Sequence, residues 1–440
     1  MQSQEVLRME LPVVAIVGRV NVGKSSLFNR FIGGRTAIVD NEAGVTRDRK
    51  IGTGEWNGVN FIAVDTGGLS PGSDDPFQNA IVKQVNLAVQ EAQVIVVLVD
   101  GTEGVHPFDE AAVELVRKSG LSCLLAVNKI DSADRLGLEH EFNALGLGKP
   151  WPVSAAHGLG VGDLLDEIVR DLPVVEKPDF DGISVAVIGR PNVGKSSIVN
   201  RLLNDERNIV TPVAGTTRDS IDSYITLKDT NYRLIDTAGL RRKARKMEDI
   251  EFYSTLRSWK SVGSADVVVV VLDGNEYPTT QDLRLATRAW EMGKGLLICV
   301  NKVDLGLDRH LWIRSVVQRF PLAKWIPIFF TSALEGKGMG RLLPMVQSVA
   351  ERRKAQISTG KLNKLMRGIV NAVQPPSPKG KMLKFFYITQ VKDTPPVVVA
   401  FVSRADLIPD NYKSYFENRM HEELNMNGVP LKIVYRNREH

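Results

Sequence analysis

Two stretches of this chain have the residue types and spacing to hold phosphate. Gly18, Arg19, Val20, Asn21, Val22, Gly23, Lys24 and Ser25 follow the spacing G-x-x-x-x-G-K-[ST]. So do Gly189, Arg190, Pro191, Asn192, Val193, Gly194, Lys195 and Ser196, with Pro191 in the place of Val20. Glycines let backbone N–H groups turn inward around phosphate oxygens, and a helix that follows points its positive end at the same place. The pattern predicts Lys24 and Lys195 on the β- and γ-phosphates of a nucleotide, with the hydroxyls of Ser25 and Ser196 on Mg²⁺.

A second pair of motifs chooses the base. Asn128, Lys129, Ile130 and Asp131 recur as Asn301, Lys302, Val303 and Asp304. An Asp carboxylate accepts two parallel hydrogen bonds from guanine N1–H and the 2-amino group, whereas adenine leaves it unpaired, and such mismatches are strongly rejected. Asp131 and Asp304 therefore read as guanine-specific, with the Asn residues holding the base and its loop and the Lys residues covering its face. Ser154 and Ala155, repeated at Ser332 and Ala333, are placed to offer backbone N–H to the guanine carbonyl.

A third pair senses the terminal phosphate. Asp65 and Asp236 end apolar runs and are candidates to hold Mg²⁺ through water. They open Asp65, Thr66, Gly67, Gly68, Leu69 and Asp236, Thr237, Ala238, Gly239, Leu240. Thr46 in "GVTRD" and Thr217 in "GTTRD" are candidates to close the Mg²⁺ shell and, with Lys24 and Lys195, to take part in catalysis. Ordering of such loops by the γ-phosphate is a switching device. In many small GTPases a Gln after D-x-x-G orients the attacking water. Leu69 and Leu240 stand there and cannot orient water, so turnover is very slow or another group supplies charge and positioning.

The elements that must position these residues recur with them. An apolar strand precedes each phosphate loop and a helical pattern follows it. The offset between copies is 171 residues through the Asp motif, then 173, then 178, as expected for small insertions in late loops. Each copy alternates strands with helices, the signature of an α/β fold with a mostly parallel sheet. The expected domains are 11–173, a linker at 174–182, a second copy at 183–352 and a tail at 353–440. The tail reads α-β-β-α-β, a small α+β sandwich.

Composition narrows the classes. Of 440 residues 43% are hydrophobic and 24% charged, ordinary for a globular protein that buries real cores. No apolar run approaches the roughly 20 residues of a membrane span, and no signal peptide is read. The two cysteines, Cys123 and Cys299, lie in apolar segments and fit a reducing, cytoplasmic setting. From Glu351 to the end there are 16 Lys/Arg and 8 Asp/Glu, so this tail carries +8 on a body of −3. A polyanionic partner, RNA first, and a plain solvated basic surface both fit this charge.

With these motifs in hand the chain resembles the Era-like GTPases. The tandem arrangement with its tail is similar to the bacterial double-GTPase family Der, also called EngA. "GKMLKFFYITQVKDTPPVVVAFVS" and "YFENRM" resemble that family's C-terminal KH-like domain. The resemblance covers about residues 11–436. It implies a GTP/GDP cycle with Mg²⁺, a monomer, and maturation of the large (50S) ribosomal subunit through contacts with rRNA and ribosomal proteins. It also implies K⁺ beside the phosphates, with Asn21 and Asn192 as ligands. The tail lacks G-x-x-G, the backbone clamp of RNA-binding KH domains, so RNA contact through that groove and protein docking compete. A tRNA-modifying GTPase of the K⁺-dependent group, and a scaffold with negligible hydrolysis, stand as alternatives. A membrane-remodelling GTPase is disfavoured, since no apolar anchor is present.

Overall fold

The computed structural model describes residues 11–33, 38–40, 49–66, 92–173, 180–205, 209–210, 222–237, 258–376, 383–392 and 394–438. They divide between Pro178 and Asp179 into two compact units, except that a short stretch ending at Lys260 groups with the first.

In the first unit β1 (Val13–Val17) is the central strand. The chain runs through the helix α1 (Lys24–Phe31), then β2 (Ile38–Asp40), β3 (Arg49–Trp56) and β4 (Val59–Asp65), which lie on one side of β1. It crosses to β5 (Val94–Asp100), α2 (Pro107–Ser119), β6 (Ser122–Asn128), β7 (Trp151–Pro152) and α3 (Val161–Asp171) on the other. The seven-stranded order is β2-β3-β4-β1-β5-β6-β7, parallel from β4 onward. Only β3 runs against the others, pairing antiparallel with both β2 and β4. In such a sheet ligands bind beyond the C-terminal ends of the strands, where the order reverses. The phosphate loop leaves β1 at that point.

The second unit repeats the plan. It runs β8 (Ile183–Ile188), α4 (Lys195–Leu203), β9 (Ile209–Val210), β10 (Ser223–Leu227), β11 (Thr230–Ile235) and β12 (Val267–Asp273). Then come α5 (Thr280–Glu291), β13 (Gly295–Asn301), α6 (Arg309–Arg319), β14 (Ile328–Phe330) and α7 (Leu342–Arg353). The sheet order β14-β13-β12-β8-β11-β10-β9 is the first sheet's order repeated. Parallel strands covered on both faces read as unbroken apolar runs. Thus Val267, Val269 and Val271 enter one core while Val268, Val270 and Leu272 enter the opposite one.

The tail follows as α8 (Thr359–Ala372), β15 (Phe385–Lys392), β16 (Val397–Val402), α9 (Asp410–Glu423) and β17 (Lys432–Asn437), in the α-β-β-α-β order expected. β15 and β16 are antiparallel, β16 and β17 parallel. The tail is fastened to the second sheet. Leu296 N–H donates to Gly428 O at 2.7 Å, Gly428 N–H donates to Trp325 O at 2.6 Å, and Met426 and Val429 enter a core of that sheet. His421 stacks near Trp325 and Trp290, at ring centroid distances of 4.2 and 5.9 Å. Both cysteines are free, and burial pushes the Cys123 thiol up to about 12.

Candidate nucleotide-binding sites

The loop after β1 passes through backbone angles that most side chains resist. Asn21 has φ 68° and Gly23 φ 98°, and the second copy repeats them at Asn192 (63°) and Gly194 (98°). Asn tolerates this left-handed region better than most residues. Glycine is required at the other position. A Cβ on Gly23 would lie 2.2 Å from Asn128 Nδ2, and one on Gly194 2.1 Å from Asn301 Nδ2.

That close approach is a tie between motifs. Asn128 Nδ2 donates to Val22 O at 2.6 Å, and its Oδ1 accepts from Ala155 N–H at 2.9 Å. Asn301 repeats both bonds, to Val193 O at 2.9 Å and from Ala333 N–H at 3.0 Å. Phosphate loop, base motif and the Ser-Ala loop are thus joined by one carboxamide in each copy. The Ala N–H groups expected to face a guanine carbonyl are directed at the Asn oxygen here, so a base would share them. Ser154 and Ser332 open the loops that carry these N–H groups, pairing with Leu159 and Lys337. Arg30 secures the first loop from α1, its Nε donating to Ala155 O at 2.9 Å.

Both phosphate-loop lysines fold back onto their own loop. Lys24 Nζ donates to Gly18 O at 2.7 Å and Arg19 O at 2.6 Å; Lys195 Nζ donates to Gly189 O at 2.8 Å and Arg190 O at 2.7 Å. Burial lowers the Lys24 pKa to about 8 against the raising pull of Asp65, and burial lowers Lys195 to about 8. Ser25 Oγ donates to Asp65 Oδ2 at 2.7 Å, bringing two expected Mg²⁺ residues together. In the second copy Asp236 lies just past β11 at φ 56°, its N–H donating to Asp222 Oδ1 at 2.9 Å. Thr66 Oγ1 donates to Ile16 O at 2.8 Å, and Thr237 shares a 2.7 Å hydrogen bond with Ser223.

At the base end, Lys129 and Lys302 both adopt left-handed backbones, φ 70° and 66°. Their ammoniums are held by Asp100 Oδ2 at 2.5 Å and Asp273 Oδ2 at 2.6 Å. Burial pushes the Asp100 carboxyl up, but the hydrogen bonds from Lys129 and Thr102 outweigh it and hold it below its ordinary value. Asp131 Oδ1 accepts from Arg135 at 2.8 Å. Asp304 Oδ1 is buried and has no hydrogen-bond partner among the described residues. The Ser332 side chain is the chief influence lowering the Asp304 pKa. A carboxylate oxygen of the base motif left without a partner is chemically suited to the N–H donors of guanine.

Sequence reasoning missed two further supports. Asp100 and Asp273 are one; each ends an apolar strand just before a glycine, 173 residues apart, which was the available signal. The other clasps the phosphate-loop arginine. Arg190 Nε donates to both Asp282 oxygens at 3.0 Å and its NH2 to Glu276 at 2.9 Å. Arg19 faces the matching pair, Asp109 at 3.6 Å and Glu103. Asp109 and Asp282 also close the capping boxes that begin α2 and α5. Thr46, Thr217, Gly67, Gly68, Leu69, Ala238, Gly239 and Leu240 lie outside the described residues, as does the basic run "LRRKARKMED" at 240–249.

Fold and site together define a class: a protein with two P-loop GTPase domains in tandem, each with a guanine-type base motif, followed by a small α+β domain. Comparison with known proteins agrees. Residues 13–129 and 184–302 match the family described as 50S ribosome-binding GTPase, and 356–436 match the C-terminal KH-domain-like region of EngA bacterial GTPases. The GTPase Der of Gemmatimonas aurantiaca is 44% identical over 433 residues, 97% of this chain and 99% of that one. The GTPase Der of Moorella thermoacetica is 44% identical over 435 residues, with the same coverage. The chain belongs to the Der (EngA) family of GTPases and is a GTP-hydrolysing enzyme. Among the described residues no helix is long and apolar enough to cross a membrane.

Proposed function

We propose that this chain is a GTP-controlled switch in maturation of the large ribosomal subunit, acting in the cytoplasm as a monomer on rRNA and ribosomal proteins. The observation that carries this reading is the duplication of the whole site. Each copy ties its base motif to its phosphate loop through one Asn, and the two copies precede a basic tail. Two independent nucleotide states give one chain four combinations, which suits a checkpoint on an assembling particle. The working domains are 11–173, 183–352 and 353–440, with 174–182 as the linker.

The residues divide the work as follows. Asp131 and Asp304 accept from the guanine edge, and Lys129 and Lys302 cover the base, aligned by Asp100 and Asp273. Lys24 and Lys195 exchange their loop carbonyls for phosphate oxygens. The Ser25–Asp65 pair fits a divalent cation held directly by the hydroxyl and through water by the carboxylate. Ser196 and Asp236 take the same roles in the second copy, and Thr46 and Thr217 complete each shell. Mg²⁺ bound there neutralises charge on the polyphosphate. Asn21 and Asn192, at the exposed rim of each loop, are the proposed K⁺ ligands; a cation beside the phosphates stabilises developing charge as an arginine finger does.

Turnover assays in KCl and in NaCl, with and without large ribosomal subunits, test this reading. It predicts hydrolysis that is faster in KCl. Equal rates in KCl and NaCl would remove the K⁺ role, and turnover indifferent to the large subunit would count against the ribosomal switch. The tRNA-modifying alternative is disfavoured by the second GTPase domain at 184–302.

A further inference from the structure

The three-stranded sheet of the tail has one face turned to the helices and another turned away. Ile388, Ala400, Val398 and Val402 pack into the core beneath α8 and α9. Strand alternation puts Tyr387, Phe401 and Arg436 on the opposite face, side by side in register. There the Tyr387 and Phe401 rings stack at 4.3 Å between centroids with only 14° between planes. Tyr387 remains 41% exposed. The same face carries Lys432 opposite Val397, and at the rim Arg438 lies over the exposed Phe386 ring at 5.0 Å. β15, β16 and β17 contain Lys392, Lys432 and Arg436 and no Asp or Glu. Among the described residues neither Lys432 nor Arg436 has a carboxylate partner.

We propose that this outer sheet face is a platform for single-stranded RNA. A parallel, half-exposed ring pair offers a π-surface on which unpaired bases stack, and cations along the same strands meet the phosphates. The face is on the far side of the sheet from the helices, and it needs no G-x-x-G turn. The inference deepens the ribosomal reading by naming a surface and a ligand class, and it rests on that reading for its biological context only.

The test uses the full-length chain and a fluorescein-labelled, unstructured 12-nucleotide RNA, read by anisotropy, with a duplex of the same sequence alongside. Tyr387→Leu keeps apolar bulk and removes the stacking ring; Arg436→Gln removes one charge. The platform predicts single-strand affinity above duplex affinity, and a loss of about tenfold or more for Tyr387→Leu. Arg436→Gln should also make binding less sensitive to salt. GTP turnover and thermal unfolding of both variants should match the parent, which excludes misfolding. Unchanged single-strand affinity in Tyr387→Leu, or preference for the duplex, would overturn the proposal. So would loss of large-subunit binding with RNA affinity intact, which would assign the face to a protein partner. Binding of the oligonucleotide by a chain that ignores ribosomal subunits would instead sink the ribosomal reading and leave the platform standing.

Discussion

Asn128 donates its side-chain amide to the Val22 carbonyl at 2.6 Å, so the residue that opens the base motif also braces the phosphate loop. The bond spans 106 residues of chain and is repeated by Asn301 and Val193. The base motif and the phosphate loop are thus one mechanical unit in each copy.

Asn128→Ala breaks this unit. It leaves the Val22 carbonyl and the Ala155 N–H without their partner in a buried setting, a loss of about 1–3 kcal/mol for each group left unsatisfied. Nucleotide affinity at the first site should fall by about tenfold or more, measured with a fluorescent GDP in a Lys195→Ala background that silences the second site. Unchanged affinity would show that the tie is incidental.

Asp304 Oδ1 is buried without a hydrogen-bond partner among the described residues. Asp304→Asn replaces one acceptor with a donor that faces the guanine N–H groups. GTP affinity at the second site should drop by at least about 100-fold, while xanthosine triphosphate, which presents a carbonyl there, should gain. Titration of both nucleotides in a Lys24→Ala background decides this, and equal GTP affinity in parent and variant would refute the assignment.

The two phosphate-loop lysines make nucleotide binding pH-dependent. With pKa values lowered to about 8 by burial, each is partly neutral in mildly alkaline solution. Phosphates favour the charged form, so binding near pH 8 takes up protons and affinity declines as pH rises above 8. Calorimetry in buffers of different ionisation enthalpy reads the proton uptake directly; none at pH 8.5 would contradict the burial argument. Lys24→Ala and Lys195→Ala should each reduce the stoichiometry from two nucleotides to one.

His421 gives the second unit an acid-sensitive joint. Burial depresses its pKa to about 4, its Nε2 bonds Val429 O at 2.9 Å, and its Nδ1 is buried without a hydrogen-bond partner among the described residues. The unfolded chain takes a proton near pH 6.5 and the folded one only near 4, so the unfolded state binds more protons between them. Stability is therefore full above pH 6.5 and is lost as pH falls toward 4, by on the order of 3 kcal/mol. Urea unfolding followed by tryptophan fluorescence should show this slope, reduced in His421→Gln. Parallel slopes for parent and variant would contradict it.

Much of this architecture was legible because the chemistry is local in sequence. A strand, a glycine-rich turn and a helix appear as one continuous pattern, and duplication doubled the signal. Each sheet's strand order was not legible, nor was the pairing of β2 and β3 beside β4, because register between distant strands leaves no local trace. The same holds for Asp100 beneath Lys129 and for the carboxylates that clasp Arg190, whose partners lie 86 and 92 residues away. The divergence between Asp65, which ends its strand beside Ser25, and Asp236, which has left its strand, is invisible in motifs that read almost alike.

Co-sedimentation of the full chain with purified large ribosomal subunits tests the central claim most directly. Parallel samples carry GDP, GTP or a non-hydrolysable GTP analogue, with small subunits as the comparison. A GTP-controlled switch predicts binding to the large subunit with the analogue and release with GDP. Equal binding to both subunits in every nucleotide state would contradict it.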